Sequence, residues 1–208
     1  MIVACLAVAA VFISCEKVKV NTLDGDQSPI GQVGTTFSLL GNVSDVSNAS
    51  AQVVSLDDGV STISLSANIT NPDYLSMLSS LSSKVDISGT TVKIDRQYRF
   101  TDAGIQSVYP NGEVLNVIKY NAKVGDVYTI KRGAHTIHRE VTVVSNKDEY
   151  SWNGLLIKTI HVKETGRGVP GLDYVEYVTN HKFGLVALKI FFEDGTSLNI
   201  YGKSSVTN

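Results

Sequence analysis

The chain has 208 residues, with 18 lysines and arginines against 20 aspartates and glutamates, and so carries a formal net charge of −2 at pH 7. This near-neutral balance argues against a nucleic-acid-binding protein, which would carry a basic face. Both cysteines, Cys5 and Cys15, lie in the first fifteen residues, so the rest of the chain can form no disulfide, thiolate metal site or cysteine nucleophile.

The chain begins with an apolar run from Ile2 to Ile13 that ends at Ser14-Cys15. As a helix this run would span about 18 Å, short of the roughly 30 Å hydrocarbon core of a bilayer, whereas a signal peptide needs only about 7–15 apolar residues. A small residue directly before a cysteine is typical of lipoprotein signal cleavage. The run therefore predicts a signal peptide over 1–14 and lipidation of Cys15. Because no basic residue precedes it, we expect translation to start further upstream.

An acylated cysteine would hold the mature protein on a membrane without crossing it. We expect that membrane to be the outer membrane, with the protein on its periplasmic or cell-surface face. Residues 15–34 are rich in glycine, serine and proline and show no sustained period, which predicts a lipidated N-terminus followed by a flexible tether. Residues 35–208 are then expected to form a single antiparallel β domain.

From residue 35 onward, short apolar runs alternate with turn signals about every ten residues. Turns of the Asp-Gly or Asn-Gly type at 57–59, 110–112 and 153–154 predict hairpins, and one long strand is predicted over 155–162. Only residues 72–83 change pattern: leucines recur every three residues after Asn71-Pro72, which predicts one short helix. The predicted fold is all-β and mainly antiparallel, either a sandwich or a partly open barrel.

The clearest strand covers residues 90–101, where an apolar face alternates with a polar one. Arg96 is the exception on the apolar face. We prefer to interpret it as an edge position from which a long side chain reaches water. The alternative is a cation that faces a ligand inside a concave sheet.

Four aromatic residues, Tyr150, Trp152, Tyr174 and Tyr177, cluster late in the chain. Such side chains could stack on a sugar or line a lipid-sized cavity, although filling the core or its rim is the preferred interpretation. Tyr174 and Tyr177 are three residues apart and so face opposite sides of a strand. Together with Arg96, these four are the candidate ligand-binding residues.

No catalytic set, cofactor site or metal site is predicted. Residues 166–171 match G-x-G-x-x-G, but a strand rather than a helix follows, which indicates a loop. His135 and His138 would point to opposite faces of a strand and could not easily hold one ion. Strand pairing could bring Glu140, Glu164 and Glu176 together as a glycosidase-like pair, but nothing in the sequence favours it.

Four further segments carry a resemblance: residues 119–129 with Lys-Val-Gly-Asp-Val-Tyr, Tyr-Ser-Trp-Asn-Gly at 150–154, Leu-Ile-Lys-Thr-Ile at 156–160, and residues 177–189 with Phe-Gly-Leu-Val. With the Ser-Cys-Glu-Lys cleavage region at 14–17, the chain resembles small β-rich cell-envelope lipoproteins of the Bacteroidetes type, a group of uncharacterised function. The resemblance covers about residues 90–203 and the signal peptide. Its motifs consist of residues that favour turns, and they contain no catalytic residue.

The predicted function is that of a lipid-anchored envelope protein with a non-enzymatic binding or structural role. Its expected partner is a membrane, bound through the lipid anchor, and the further candidate partners are a small lipophilic or glycan ligand and another protein. One alternative is a hydrolase of glycans or esters that works through acidic residues. The other is an accessory subunit that binds a protein partner through a sheet edge.

Overall fold

The computed structural model describes residues 23–41, 45–81 and 85–206. The predicted signal peptide and Cys15 lie outside the described residues. Within them, a 3-10 turn spans Pro29–Gly31 and the helix α1 spans Pro72–Leu81. The strands are β1 (Thr36–Gly41), β2 (Val46–Asp57), β3 (Val60–Ile69), β4 (Val85–Ser88), β5 (Thr91–Thr101), β6 (Gly104–Val108), β7 (Val114–Lys119), β8 (Val127–Arg132), β9 (His135–Val144), β10 (Tyr150–Trp152), β11 (Leu155–Ile157), β12 (Ile160–Thr165), β13 (Leu172–Asn180), β14 (Gly184–Phe192) and β15 (Ser197–Ser204).

One antiparallel sheet dominates this part of the chain. Its strand order is β7-β6-β5-β3-β2-β1-β15-β14-β13-β12-β9-β8, and β4 pairs beside β5. The sheet curls until it is nearly closed into a barrel. The prediction of a mainly antiparallel all-β fold is confirmed, and of the two predicted geometries the structure adopts the barrel.

The sheet is made of two halves that follow each other in sequence, β1–β7 and β8–β15, and the second half leaves out β10 and β11, which form a separate two-stranded sheet. The halves meet where β1 pairs with β15, from Phe37 opposite Ser204 to Gly41 opposite Ile200. On the other side of the barrel the terminal strands β7 and β8 approach each other without being hydrogen-bonded neighbours in the sheet. The seam between β1 and β15 is thus closed by backbone hydrogen bonds. The seam between β7 and β8 has no such pairing, so side-chain contacts must hold it together.

Local sequence signals account for the turns and for the helix start. Asp57 pairs with Val60 across a turn in which Asp58 and Gly59 have φ angles of 45° and 72°. Positive φ at both central positions gives a turn whose twist matches that of the flanking strands. Asn71 Oδ1 accepts a hydrogen bond from the backbone N–H of Asp73 at 2.9 Å. The predicted hairpin and the predicted N-cap are both confirmed.

The strand predicted over 155–162 is divided in two, because β11 ends at Ile157 and β12 begins at Ile160. The small β10–β11 hairpin folds over the outer face of the large sheet, where Trp152 packs on Phe183 with ring centroids 4.6 Å apart. Trp152 Nε1 also donates a hydrogen bond to the carbonyl of Gly202 at 3.1 Å. Covering this outer face buries apolar area that one straight strand would leave in water.

The described part of the segment predicted as a tether, residues 23–34, lies against the sheet. Ile30 belongs to the core and is only 1% exposed. The N–H of Ser28 donates to the carbonyl of Phe100 at 3.0 Å, and Gln27 forms a β-bridge with Thr101. Burying one isoleucine stabilises by about 1.5–3 kcal/mol, and the backbone hydrogen bonds of the segment add to this burial. This differs from the flexible path expected for residues 15–34.

None of the helices in the described ranges has both the length and the apolar character needed to cross a bilayer.

Candidate functional site

An apolar cavity of about 150 Å³ lies inside the barrel. Both halves of the sheet build its wall. Side chains that line it include Ala51, Ile63 and Phe100 from the first half and Leu185, Ala187 and Leu188 from the second. Among the described residues that line it, two carry a polar side-chain atom, Tyr98 and Tyr177. The wall is therefore suited to an apolar group, with hydroxyls at two defined places.

A buried ion pair lies next to the cavity. Arg139 on β9 and Glu164 on β12 are opposite each other in the strand register. Arg139 Nε donates to Glu164 Oε2 at 2.6 Å, and both side chains are at most 1% exposed. Arg167, in the loop after β12, donates through Nε to the other oxygen of the same carboxylate. One carboxylate thus binds two guanidinium groups.

Tyr177 joins this cluster to the cavity. Its hydroxyl donates a hydrogen bond to Glu164 Oε2 at 3.1 Å and accepts one from Arg167 Nη2, also at 3.1 Å. The guanidinium of Arg139 lies over the Tyr177 ring, 5.1 Å from its centroid. Because the same ring lines the cavity, Tyr177 presents an apolar face to the cavity and a polar edge to the charges.

Arg139 also makes hydrogen bonds across the seam between β7 and β8, where the two strands are not paired through their backbones. Its Nη1 donates to the carbonyl oxygens of Asn116 at 2.9 Å and Leu115 at 3.2 Å, both on β7. Its Nη2 donates to Ser107 Oγ on β6 at 3.3 Å. A single buried side chain of the second half is therefore bonded to the last two strands of the first half.

The electrostatics of the cluster fix its protonation. Burial alone would raise the pKa of Glu164, but the adjacent Arg139 and Arg167 lower it below its usual range. Burial and the Glu164 charge raise the pKa of Tyr177 to about 12, against the opposing effect of the two arginines. At neutral pH Glu164 is ionised and Tyr177 is protonated. Neither group is poised to exchange a proton with a substrate.

Arg96 lies on the inner face of β5, in line with Tyr98 and Phe100. The strand is not at the end of the sheet, in contrast to the preferred edge interpretation. Instead, Arg96 lies between the end of the β4 pairing at Ile94 and the start of the β6 pairing at Gln97. Its side chain is half-buried.

The other predicted aromatic residues lie outside the barrel. Tyr150 packs edge-on against His161, Trp152 is buried under the outer hairpin, and Tyr174 stacks on Phe191 with centroids 4.2 Å apart. Of the five candidate ligand-binding residues, Tyr177 lines the cavity, and Arg96 lies on the same inner face of the sheet beside the lining residues Tyr98 and Ile63. As predicted, Tyr174 and Tyr177 face opposite sides of β13.

The three carboxylates considered for hydrolysis do not converge. Glu164 is inside the barrel, whereas Glu140 is exposed on the outer face. Glu176 is also on the outer face, where its oxygens lie 3.0 Å from His161 Nδ1 and 2.7 Å from Lys189 Nζ. The spacing that a glycosidase requires is therefore not assembled from these residues.

One outer cluster has the order hydroxyl, imidazole, carboxylate. Thr159 Oγ1 lies 3.1 Å from His161 Nε2, and His161 Nδ1 contacts Glu176. This is the connectivity by which a histidine activates a nucleophile. However, Thr159 is only 2% exposed, so its hydroxyl is closed to a substrate. The arrangement serves to bond β12 to β13.

Sequence reasoning missed Arg139 and Arg167 as site residues. Arg139 stands between the buried Ile137 and Val141, on the apolar side of the β9 alternation. That signal is the same as the one noted for Arg96 and could have identified it. Arg167 follows Gly166 in an irregular loop, and no local pattern indicates that it turns inward.

Comparison of the chain with models of protein families, with curated protein sequences and with solved structures finds no match.

Proposed function

We propose that the chain is a lipid-anchored envelope protein whose β domain binds a small apolar ligand inside the barrel. The anchor is supported by the apolar run that ends at Ser14-Cys15. Binding is supported by one observation above all, the apolar cavity that lies between the two halves of the sheet. The interior, rather than the aromatic outer face, is the site.

The size of the cavity is unusual for a structural core. Protein interiors are packed like organic crystals and hold few voids larger than a water molecule. The cavity is partly open and leaves apolar wall unpacked, so the wall loses the contacts that a filled core would have. A ligand that fills this volume would recover that loss, which favours binding.

The volume also limits what can enter. A cavity of about 150 Å³ lined by apolar side chains admits a benzene-sized molecule, whereas drug-sized ligands need roughly 300–1,000 Å³. The ligand, or the part of it that enters, is therefore a single ring or a short alkyl chain. A longer ligand would extend past the cavity toward the charged cluster.

The direct test is a titration of the isotope-labelled β domain with 1-hexanol, followed by backbone amide NMR shifts. We expect saturable shifts at residues that line the cavity, such as Leu39 and Leu188. The variant Ala51→Leu places a larger side chain in the cavity, so we expect it to abolish these shifts without lowering the thermal unfolding midpoint.

The matched control is Ala134→Leu, which adds the same side chain at an exposed turn and should bind as the parent does. Two results would contradict the proposal. One is the absence of saturable shifts up to the solubility limit of hexanol. The other is unchanged binding in Ala51→Leu.

A further inference from the structure

We propose that the ligand of the cavity is an amphiphile with a carboxylate head, and that Arg96 binds that head while the apolar tail occupies the cavity. This inference rests on the proposed function, because it specifies the chemistry of a ligand for the same site. It distinguishes an anionic amphiphile from a neutral lipophile, which the cavity wall alone does not.

The charges at the interior site do not balance. The residues described there provide three guanidinium groups, Arg96, Arg139 and Arg167, against the single carboxylate of Glu164. The hydroxyls of Tyr98 and Tyr177 remain protonated at neutral pH, because burial raises the pKa of both groups. An anionic group is therefore attracted to this end of the cavity.

Arg96 is the guanidinium with the most capacity left for a ligand. Arg139 makes four hydrogen bonds within the protein and is fully buried. Arg167 is already bonded to Glu164 and Tyr177. Arg96 donates only to the carbonyl of its neighbour Asp95, at 3.0 Å, and within the described ranges no carboxylate lies at ion-pair distance from it.

The position of Arg96 relative to the cavity is set by the strand register. Its cross-strand partner on β3 is Ile63, and its neighbour two residues along the same face is Tyr98. Both of these residues line the cavity. Residues two apart on a strand are separated by about 6.6 Å, so Arg96 follows these lining residues on the same face of the sheet without itself lining the cavity.

The different exposure of the three arginines predicts how the ligand is oriented. Arg139 and Glu164 are closed off from solvent, whereas the Arg167 side chain is 30% exposed and Arg96 is half-buried. The charged head would therefore lie on the solvent side, between Arg96 and Arg167, with its tail pointing inward. The planar guanidinium fork suits a carboxylate, and such charge-assisted hydrogen bonds are about twice as strong as neutral ones.

The test compares sodium hexanoate with 1-hexanol at pH 7.5, using the same NMR titration, for the parent protein and two variants. Arg96→Gln removes the positive charge of the residue proposed to bind the carboxylate. Lys93→Gln removes one charge from the exposed outer face of the same strand and serves as the matched control. We expect the parent to bind hexanoate about tenfold more tightly than hexanol, from one charge-assisted interaction. Arg96→Gln should abolish that preference while still binding hexanol, and Lys93→Gln should retain it.

Three other results of these titrations would each refute a different part of the proposal. Equal affinity of the parent for hexanoate and hexanol would refute the carboxylate head but leave the proposed apolar binding intact. Binding of neither compound would refute the proposed function itself. A preference for hexanoate that survives in Arg96→Gln would refute the assignment of Arg96. Thermal unfolding of each variant, with a midpoint within a few degrees of the parent, shows that the fold is retained.

Discussion

Arg139 Nη1 donates a hydrogen bond to the carbonyl oxygen of Asn116, 2.9 Å away, and so connects β9 with the terminal strand β7. The two residues belong to opposite halves of the sheet. Because β7 and β8 are not paired through their backbones, the Arg139 side chain performs the connection that a strand ladder provides elsewhere in the barrel. The cluster around Arg139 therefore holds the two halves of the sheet together and also forms one end of the interior site.

We expect Arg139→Met to lower the free energy of unfolding by about 3–5 kcal/mol, the usual cost of removing one partner of a buried ion pair. The change leaves Glu164 with Arg167 and Tyr177 as partners and removes the hydrogen bonds from Arg139 to the β7 carbonyls. Chemical denaturation measures the loss. The double variant Arg139→Met/Glu164→Gln should be more destabilised than the single one, since it also removes the carboxylate that still pairs with Arg167. A loss below about 1 kcal/mol in the single variant would show that Arg139 does not stabilise the seam.

The stability of the protein should depend on Glu176 at acid pH. The hydrogen bond with His161 lowers the pKa of Glu176 from 4.5 to about 2 against the effect of burial, and Lys189 adds to the lowering. Since this pKa is lower in the folded state, the unfolded state takes up the proton first as pH falls. The stabilisation is complete above about pH 4.5 and is lost as the pH approaches 2.

Urea unfolding of the parent and of Glu176→Gln between pH 7 and pH 2 measures this effect. The difference in unfolding free energy between the two proteins should be largest above pH 4.5 and should shrink below it. Glu140→Gln, which removes an exposed carboxylate from the same outer face, is the control and should show no comparable change. A difference that stays constant over the whole range would contradict the role of Glu176.

The G-x-G-x-x-G segment gives a prediction about backbone conformation. Gly166 and Gly171 have nearly equal φ angles, +82° and +80°, which side chains other than glycine rarely adopt. Alanine at either position costs about 1–2 kcal/mol in strain. At Gly166 the added Cβ would also overlap the carbonyl oxygen of Thr136, whereas at Gly171 it would meet open space. Gly166→Ala should therefore destabilise the protein clearly more than Gly171→Ala in guanidinium chloride, and equal costs would exclude the predicted overlap.

The proposed lipid anchor is tested at Cys15. Cys15→Ser should shift the protein from the membrane fraction to the soluble fraction and should leave residues 1–14 attached, because lipid transfer and cleavage both need that thiol. Cell fractionation together with mass spectrometry of the N-terminus measures both effects. Cys5→Ser removes the other thiol of the same segment and should leave the protein membrane-bound and processed. Membrane retention of Cys15→Ser would refute the anchor.

Local signals in the sequence were sufficient for much of the fold. Period-two alternation identified strands such as β5, the Asp57-Asp58-Gly59 turn identified a hairpin, and Asn71-Pro72 identified the start of α1. Each of these depends on neighbouring residues only. The four-residue strand β4 was missed because it is too short to show a period, and the division between β11 and β12 because packing on the outer face decides it.

The interior site could not be predicted in the same way. Arg139 and Glu164 are 25 residues apart and meet only through the β9–β12 register. Their contact with β7 depends on the curvature of the whole sheet, which no local pattern encodes. What the sequence does show is a charged residue on an apolar strand face, at Arg96 and again at Arg139. Two such positions in one predicted barrel indicate an interior polar cluster more strongly than either does alone.

The pairing of β1 with β15 joins the first and last strands of the described chain, and beside it the Thr36 N–H donates to Ser205 Oγ, 169 residues further along the chain. As the protein is made, the first half can form its hairpins from near neighbours, but β1 keeps an unpaired edge until β15 has been synthesised. Such an edge favours aggregation, and contacts of this sequence separation form slowly. Chaperones that protect exposed strands would thus have a long interval in which to act, and the interior would be enclosed only at the final step of folding.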